Sequence, residues 1–239
     1  MSKKLIFDIK QVFEQFFGGE NMSKKMSSRP SGFLYRFSWA KNCTTVFSSN
    51  NCRTAIIMKN AKGGKIMSSI DIQKVSIIEL EVDAIVNAAN TALQHGGGVC
   101  GVIFDAAGQR ELQAACNEIG HCNTGNAVIT PGFKLPAKHV IHAVGPIWRG
   151  GYDNEPKLLY SAYKQALTVA KENGLHSIAF PLISAGIYGY PQDQAWRKAL
   201  QACHDFIEAN GDYEIDIIFA VIDDDIMNKG LKARAELNI

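Results

Sequence analysis

Long hydrophobic runs are absent from this 239-residue sequence. No apolar run reaches the roughly 18–20 residues that a membrane-spanning helix needs. The start, MSKKLIFDIKQVFEQFFGG, also lacks the uninterrupted apolar core of a signal peptide, because charged and amide side chains interrupt it. Hydrophobic residues make up 46% of the chain and charged residues 20%, as in ordinary globular proteins. We therefore expect a globular, cytoplasmic protein without a membrane span.

Metal-binding cysteine motifs are absent as well. None of the six cysteines forms a C-x-x-C pair. Cys116, His121 and Cys122 lie close in sequence, but a tetrahedral site requires a fourth ligand and a recognisable spacing. We expect reduced, mostly buried thiols, with neither a metal nor a bound cofactor.

Acidic residues are scarce in the first quarter of the chain. Residues 1–65 carry 12 Lys and Arg against 3 Asp and Glu, whereas residues 66–239 carry 13 against 20. This asymmetry predicts a basic N-terminal extension over 1–65, with a short helix over 4–17, a polar linker over 20–32 and a β-prone segment over 33–58. The acidic body does not suit nonspecific nucleic-acid binding. The extension either contacts an anionic partner or forms a solvated tail.

From residue 66 onward, strand-like runs alternate with helical patterns. This alternation predicts an α/β layer fold with a largely parallel sheet. Strands are expected at 66–78, 82–90, 125–132, 139–146, 177–184 and 214–223, and helices at 99–119, 155–173, 192–210 and the C terminus. Both faces of the segment VDAIVNAAN are apolar, which is typical of a strand buried on two sides.

Three consecutive glycines lie in the stretch NAANTALQHGGGVCG, residues 87–101, between a predicted strand and a predicted helix. Consecutive glycines raise the entropic cost of folding, so we expect this loop to need a backbone conformation or a close approach that other residues do not allow. Two explanations fit: a tight strand-to-helix turn, or a loop whose N–H groups approach an anion at the helix N-terminus.

A second glycine-bearing loop, AGIYGYP at 185–191, also follows a predicted buried strand. Ligands of open α/β sheets bind outside the carboxyl ends of the strands, so two such loops favour the anion site. The first loop matches neither G-x-x-x-x-G-K-[ST] nor G-x-G-x-x-G. Without a lysine, the expected ligand is a diphosphate held by backbone N–H groups.

The chain resembles the macrodomain family of ADP-ribose-binding modules. The resemblance covers about residues 66–239 and is carried by VDAIVNAAN (82–90), GGGVCGVIFDAAG (96–108), TGNAVITPG (124–132), HVIHAVGPIW (139–148) and SIAFPLISAGIYGYP (177–191). It is nearest to the branch of O-acetyl-ADP-ribose deacetylases and mono-ADP-ribosyl hydrolases. The resemblance implies a three-layer α/β/α sandwich around a mixed, mostly parallel six-stranded sheet. It also implies ADP-ribose or a mono-ADP-ribosylated protein as the partner.

The resemblance assigns site residues by position. Ala88 and Asn90 would lie beside the distal ribose, and Tyr190 would either orient the substrate there or simply pack. Asn90 and Tyr190 are the candidate catalytic residues. The first phosphate loop would comprise Gly96, Gly97, Gly98, Val99, Cys100 and Gly101; the second, Ser184, Ala185, Gly186, Ile187 and Tyr188; and the adenine end, Ser76 and Ile77.

Two positions depart from the family pattern. Hydrolases of this branch carry an aspartate, thought to orient or activate water, where this chain has Cys100. A thiol of pKa around 8.5 is mostly neutral at pH 7, although a helix N-terminus that lowered this pKa would permit thiolate chemistry instead. The family's adenine-binding aspartate is replaced by Ser76, so weaker adenine selectivity is expected. Binding without cleavage is the main hypothesis, and hydrolysis by water held between Asn90 and a substrate phosphate is the alternative.

Other polar residues have structural explanations. His142 lies in the apolar run VIHAV and is expected to be a hydrogen-bonded core histidine. His95 is expected to be exposed, Asp83 to anchor the start of its strand, and the triplet beginning at Asp223 to cap a helix.

Overall fold

The computed structural model describes the backbone of 24–29, 32–40, 43–48, 54–59 and 65–239, with side chains from residue 67 onward. The strands are β1 Lys24–Arg29, β2 Gly32–Ala40, β3 Cys43–Ser48, β4 Thr54–Lys59, β5 Lys65–Lys74, β6 Ala84–Ala88, β7 Ala127–Pro131, β8 His139–Ala143, β9 Ser177–Phe180 and β10 Asp216–Val221. The helices are α1 Val99–Ala107, α2 Gln109–Ile119, α3 Glu155–Glu172, α4 Gln192–Ala209 and α5 Asp224–Leu237, and a 3-10 turn covers Ile77–Glu79.

Six strands form the sheet of the α/β body, in the order β5-β10-β9-β6-β8-β7. Five of them run parallel, and β7 alone pairs antiparallel, with β8. The predicted mixed, mostly parallel six-stranded sheet is confirmed.

Strands of the N-terminal region continue this sheet beyond β5. β4 pairs antiparallel with β5, and β3, β2 and β1 follow in order. The β-prone pieces predicted within 33–58 are therefore strands. The prediction of a linker over 20–32 is wrong for Lys24–Arg29, because backbone pairing with β2 makes a strand of a polar segment. The helix predicted over 4–17 lies outside the described residues.

Helices cover both faces of the six-stranded sheet, each over its own hydrophobic core. On one face, α3, α4 and α5 bury a cluster that includes Tyr163 and Trp196. On the other, α1 and α2 bury Phe104, Leu112 and Cys116. This is the expected three-layer α/β/α sandwich. No helix within 67–239 combines the length and the hydropathy needed to cross a membrane.

The single helix predicted over 99–119 is in fact two helices. α1 ends at Ala107 and α2 begins at Gln109, because Gly108 between them adopts φ +96, which a right-handed helix does not permit. The periodic apolar pattern continues through this break, so the pattern alone does not reveal it.

The parallel arrangement brings several loops to one edge of the sheet. The segments that follow β5, β10, β9, β6 and β8 all emerge at the carboxyl ends of parallel strands. Both glycine-bearing loops lie there, as the sequence predicted, and the structure shows that the strands they follow, β6 and β9, are adjacent.

Candidate functional site

The first glycine loop begins with a turn that Asn90 closes. Its amide oxygen accepts the backbone N–H of Gln94 at 3.0 Å, and its amide nitrogen donates to the Gln94 carbonyl at 2.7 Å. Leu93, inside this ring, has φ +55 and a side chain that is 1% exposed, so it anchors the turn in the core. An amide offers two N–H donors and two acceptor lone pairs. Asn90 thus retains one donor and one lone pair for a ligand.

Helix α2 supports this turn from the side. The Gln113 amide accepts from the backbone N–H of His95 at 2.9 Å and donates to the Leu93 carbonyl at 3.2 Å. Asn117 accepts from both Gln113 and Gln94. The turn is therefore braced by an amide network that the sequence analysis did not identify.

The glycines allow the backbone of the first loop to pack closely against the start of α1. Gly98 has φ +64, in the left-handed region, and directly precedes the helix. A Cβ on Gly101 would lie only 2.7 Å from the carbonyl oxygen of Gly96, which no side chain tolerates. The first N–H groups of any α-helix lack intrahelical partners, and at α1 no side chain caps them. Such a helix end favours an anion.

The second loop is compact and folds back on itself. Ser184 has φ +66, and its carbonyl accepts the backbone N–H of Tyr190 at 3.0 Å. Gly189 donates to the Gly186 carbonyl at 2.9 Å. The Ser184 hydroxyl is buried, has no partner among the described residues, and would lie 2.2 Å from a Cβ on Gly145. The absence of a side chain at Gly145 lets this loop settle against the end of β8.

The two loops meet through Ile187. This side chain is 77% exposed, yet its Cδ1 would lie 2.9 Å from a Cβ on Gly97 and 3.7 Å from one on Gly98. The loops thus form two walls of one cleft, with exposed glycine backbone on both sides. The structure brings together the residues that the sequence predicted for the two phosphate loops.

Cys100 lies beneath the first loop, in α1. Its side chain is 4% exposed, and its sulfur accepts from the Asn87 amide at 3.6 Å and donates to the Gln94 carbonyl at 3.8 Å. Burial raises the pKa of this thiol, and hydrogen bonds from Asn87 and Gly96 offset only part of the rise. The direction of this shift is opposite to the lowered pKa that the thiolate alternative needs.

A buried polar network extends from Cys100 into the core. Asn87 donates to His142 Nδ1 at 3.1 Å, and His142 Nε2 lies 3.0 Å from the Thr130 hydroxyl. Since an amide nitrogen only donates, Nδ1 is the acceptor and Nε2 carries the proton. Burial lowers the pKa of His142 to about 4, so the ring is neutral at pH 7. The predicted core histidine is confirmed.

Tyr190 lies under the second loop. Its ring is 1% exposed and packs at 4.5 Å, centroid to centroid, on that of Trp148. Its hydroxyl is buried without a partner in the described part of the chain. Burial raises the pKa values of Tyr190 and Tyr188, so both phenols are protonated at neutral pH. Packing accounts for the Tyr190 ring, and the unpaired hydroxyl leaves its predicted role at the ribose open.

The predicted adenine end lies at the carboxyl ends of β5 and β10. Ser76 precedes the 3-10 turn, and its hydroxyl makes no capping hydrogen bond, whereas the Ile77 side chain is only 5% exposed. Val75 donates its N–H to the Val221 carbonyl at 3.0 Å, which places Ile222, 78% exposed, beside this segment. An exposed aliphatic side chain thus adjoins an uncharged hydroxyl, an apolar neighbour that the sequence analysis missed.

The remaining polar residues behave as structural groups. The side chain of His95 is 36% exposed and lies 3.4 Å from Asp105. Asp83 accepts hydrogen bonds from His176, Ser177 and Lys138 and so ties β6 to β9 and β8. Asp223 caps α5 by accepting the N–H groups of residues 225 and 226.

A further element at this edge was not predicted from the sequence. The buried carboxylate of Glu155 accepts three backbone N–H groups, from Arg149 at 2.9 Å, Gly151 at 3.1 Å and Asp153 at 2.5 Å. Burial acts to raise the pKa of Glu155, but these backbone hydrogen bonds hold it at about 2. The only sequence signal is an acidic residue at the start of a predicted helix.

Comparison with known proteins identifies this architecture. The family model described as Macro domain matches residues 86–199. A macro domain-containing protein of Mesorhizobium japonicum is 46% identical over 173 residues, covering 72% of this chain and 97% of that protein. The O-acetyl-ADP-ribose deacetylase of Salmonella typhimurium is 52% identical over 144 residues, covering 59% of this chain and 80% of that protein.

A solved structure agrees with the sequence comparisons. The Trypanosoma brucei macrodomain in complex with ADP-ribose superposes with a TM-score of 0.63 at 38% identity, covering 68% of each chain. With the sheet order, the paired loops and the relatives in agreement, the chain belongs to the macro domain family.

Proposed function

We propose that this protein binds ADP-ribose, free or as a mono-ADP-ribosyl group on another protein. The diphosphate lies between the two glycine-bearing loops and is held by backbone N–H groups of the first turn of α1 and of residues 184–188. Asn90 forms a hydrogen bond with a hydroxyl of the distal ribose through the amide donor or lone pair that Gln94 does not use. A nucleoside diphosphate sugar suits this edge of the sheet, because its charge lies at the centre and its two riboses at the sides.

The observation that carries the proposal is the approach of Ile187 to Gly97. Two loops that carry glycine backbone face each other across a gap that a single side chain spans. A phosphate can be bound without a cationic side chain when several peptide N–H groups and a helix dipole act on it together. The ADP-ribose complex of the T. brucei relative and the name of the S. typhimurium relative support this choice of ligand.

The second candidate is hydrolysis of an ADP-ribosyl ester or of O-acetyl-ADP-ribose. It is favoured by the 52% identity to the S. typhimurium deacetylase. In this reaction, a water held by a substrate phosphate and Asn90 attacks the ester. Cys100 weighs against a fast reaction, because a neutral, buried thiol is a poor base for that water. Binding is therefore the primary function that we propose.

Two further assignments belong to this proposal. Residues 66–239 form the binding domain, and the basic extension over 1–65 contacts an anionic partner. The four cysteines of the described region are free and buried, which fits a reducing compartment such as the cytoplasm.

Calorimetry with ADP-ribose and AMP tests the function. ADP-ribose should bind the more tightly, since AMP lacks the second phosphate and the distal ribose that the two loops address. Equal affinities for the two would remove the proposed site. A turnover assay on mono-ADP-ribosylated protein, with the same preparation, then separates binding alone from hydrolysis.

A further inference from the structure

The loop that follows β8, residues 147–153, lies at the same sheet edge as the two glycine loops and is not used by the proposed ligand contacts. We name it the β8 loop. Its backbone is unusual, since Gly150 and Gly151 have φ values of +105 and +90 and Asn154, just beyond it, has φ +60. Glycine adopts positive φ without steric strain, but it loses more conformational freedom on folding than other residues, and Asn154 is strained at its positive φ; contacts must therefore fix this loop.

Glu155 provides those contacts. Its carboxylate, 1% exposed, gathers three N–H groups of the β8 loop. The Trp148 ring lies against Gly151 of the same loop, so closely that a Cβ on Gly151 would lie 2.9 Å from the ring. The β8 loop therefore has a fixed shape that does not depend on its outward-facing side chains.

The exposed side chains of the β8 loop are those of Ile147, Arg149, Tyr152 and Asp153. Tyr152 is 95% exposed and Ile147 is 54% exposed. Arg149 is exposed, and its guanidinium forms no ion pair with any carboxylate within 67–239. Tyrosine and arginine are the residue types that most often dominate binding energy at protein interfaces. A rigid loop that holds both in solvent is suited to a protein partner, in which a carboxylate can pair with the Arg149 guanidinium.

The β8 loop lies on the side of the diphosphate cleft opposite to the predicted adenine end. In the sheet order, β6 lies between β9 and β8, while β10 and β5 lie on the far side of β9. Neighbouring strands are about 4.8 Å apart, so Ser76 and Ile222 lie on one side of the diphosphate cleft and the β8 loop lies on the other. A nucleoside diphosphate ribose with its base at Ser76 directs its distal ribose toward the β8 loop.

The β8 loop is also joined directly to the second glycine loop. Trp148 donates its backbone N–H to the Tyr188 carbonyl at 2.9 Å, and its ring packs on that of Tyr190. The surface that displays Tyr152 is thus continuous with the wall of the ligand cleft.

We propose that the β8 loop is the docking surface for the polypeptide that carries the ADP-ribosyl group. Tyr152 packs against that chain, and Arg149 pairs with acidic side chains near the modified residue. The preferred substrate class is therefore a mono-ADP-ribosylated acidic segment, in contrast to free ADP-ribose. This inference rests on the proposed function, because it requires the distal ribose to lie beside Asn90.

The test compares two probes on the same variants: free ADP-ribose and a synthetic acidic peptide with one ADP-ribosyl group in a stable linkage. Tyr152→Ala and Arg149→Ala should each weaken peptide binding about 5- to 30-fold, as truncated interface anchors do. Affinity for free ADP-ribose should stay within about twofold of the parent. Both substitutions leave the N–H groups that Glu155 binds intact. Phe133→Ala is the matched control, since Phe133 is 43% exposed and follows the antiparallel strand β7 at the opposite edge.

The outcomes separate the two proposals. A parent protein that binds neither probe overturns the proposed function and this inference with it. A parent that binds ADP-ribose but gains nothing from the peptide overturns the inference alone. So does Tyr152→Ala, if it weakens both probes equally or neither. A selective loss for the peptide, absent in Phe133→Ala, supports docking on the β8 loop, and a peptide with neutral flanking residues should lose the Arg149 contribution.

Discussion

The Asn87 amide nitrogen lies 3.6 Å from the Cys100 sulfur, and both side chains are buried beneath the first glycine loop. The same amide nitrogen donates to Nδ1 of the buried His142, and the amide oxygen has no partner among the described residues. A donor therefore already faces position 100, where hydrolases of the resembled branch carry an aspartate.

Cys100→Asp should raise hydrolysis of a mono-ADP-ribosylated substrate, because the Asn87 amide can donate a hydrogen bond to the new carboxylate and fix its position. A positioned base contributes about 10²–10⁴-fold, so an imperfectly placed one remains measurable in a turnover assay. Binding is measured alongside, since the added charge also repels the diphosphate.

Cys100→Ser is the matched control. It should leave ADP-ribose affinity nearly unchanged, because the proposed contacts come from loop N–H groups. A parent that turns over at about 1 s⁻¹ or faster and loses this rate in Cys100→Ser would contradict binding as the primary function.

Gly97→Glu should abolish ADP-ribose binding. The new side chain would begin 2.9 Å from Ile187 Cδ1 and bring a negative charge to the space of the diphosphate. Gly97→Ala is the control, since the flexible end of Ile187 can move away from a single methyl group. Calorimetry on both variants, with circular dichroism to verify folding, is the measurement; a Gly97→Glu protein that binds like the parent would show that the loop is wrongly assigned.

Base selectivity should be weak, because Ser76 offers a hydroxyl that donates and accepts equally well. ADP-ribose and inosine diphosphate ribose should bind within about threefold of each other. Ser76→Asp should favour adenine by about tenfold or more, since a charged hydrogen bond to the amino group contributes about 1.5–3 kcal/mol. Competition calorimetry measures both ratios, and a parent that already prefers adenine tenfold would refute the role given to Ser76.

Asp83→Asn should destabilise the protein at neutral pH. Burial acts to raise the pKa of Asp83, but hydrogen bonds from Lys138, His176 and Ser177 lower it from 3.8 to about 2. A carboxyl with a lowered pKa contributes stability above its unfolded pKa and loses it as pH falls toward the folded value. The free energy of unfolding should drop on the order of 2 kcal/mol at pH 7, and the difference should vanish toward pH 2.

Urea unfolding of both proteins across this pH range measures the effect. Asp212→Asn is the control, because Asp212 is 81% exposed and its nearest cation, Lys171, lies 3.9 Å away. An Asp83→Asn penalty that is the same at pH 7 and near pH 2 would show that the charge of Asp83 is not its source.

The sequence predicted the layered fold because its signals are local. Two-sided apolar strands such as 84–88 and periodic helices such as 155–172 identify themselves within a few residues. The glycine loops could also be located, since three adjacent glycines after a buried strand are costly in any other role. The break at Gly108 was missed, because the apolar period continues through it and one glycine within a helix is tolerated at a cost.

What the sequence did not predict depends on contacts that form only in the folded chain. Nothing local shows that Glu155 binds N–H groups two to six residues before it, or that the Asn90 amide is half occupied by Gln94. The burial of Tyr190 depends on Trp148, which lies on a different loop. Such pairings bring together residues whose separation in the chain carries no periodic signal.

Because Glu155 binds main-chain N–H groups, the backbone shape of the β8 loop does not depend on the identity of its exposed side chains. Since main-chain groups hold the loop, positions 149 and 152 can be exchanged for other amino acids while the backbone between them keeps its course. New side chains at these two positions would therefore change the proposed docking surface and leave the backbone of the neighbouring glycine loops as it is.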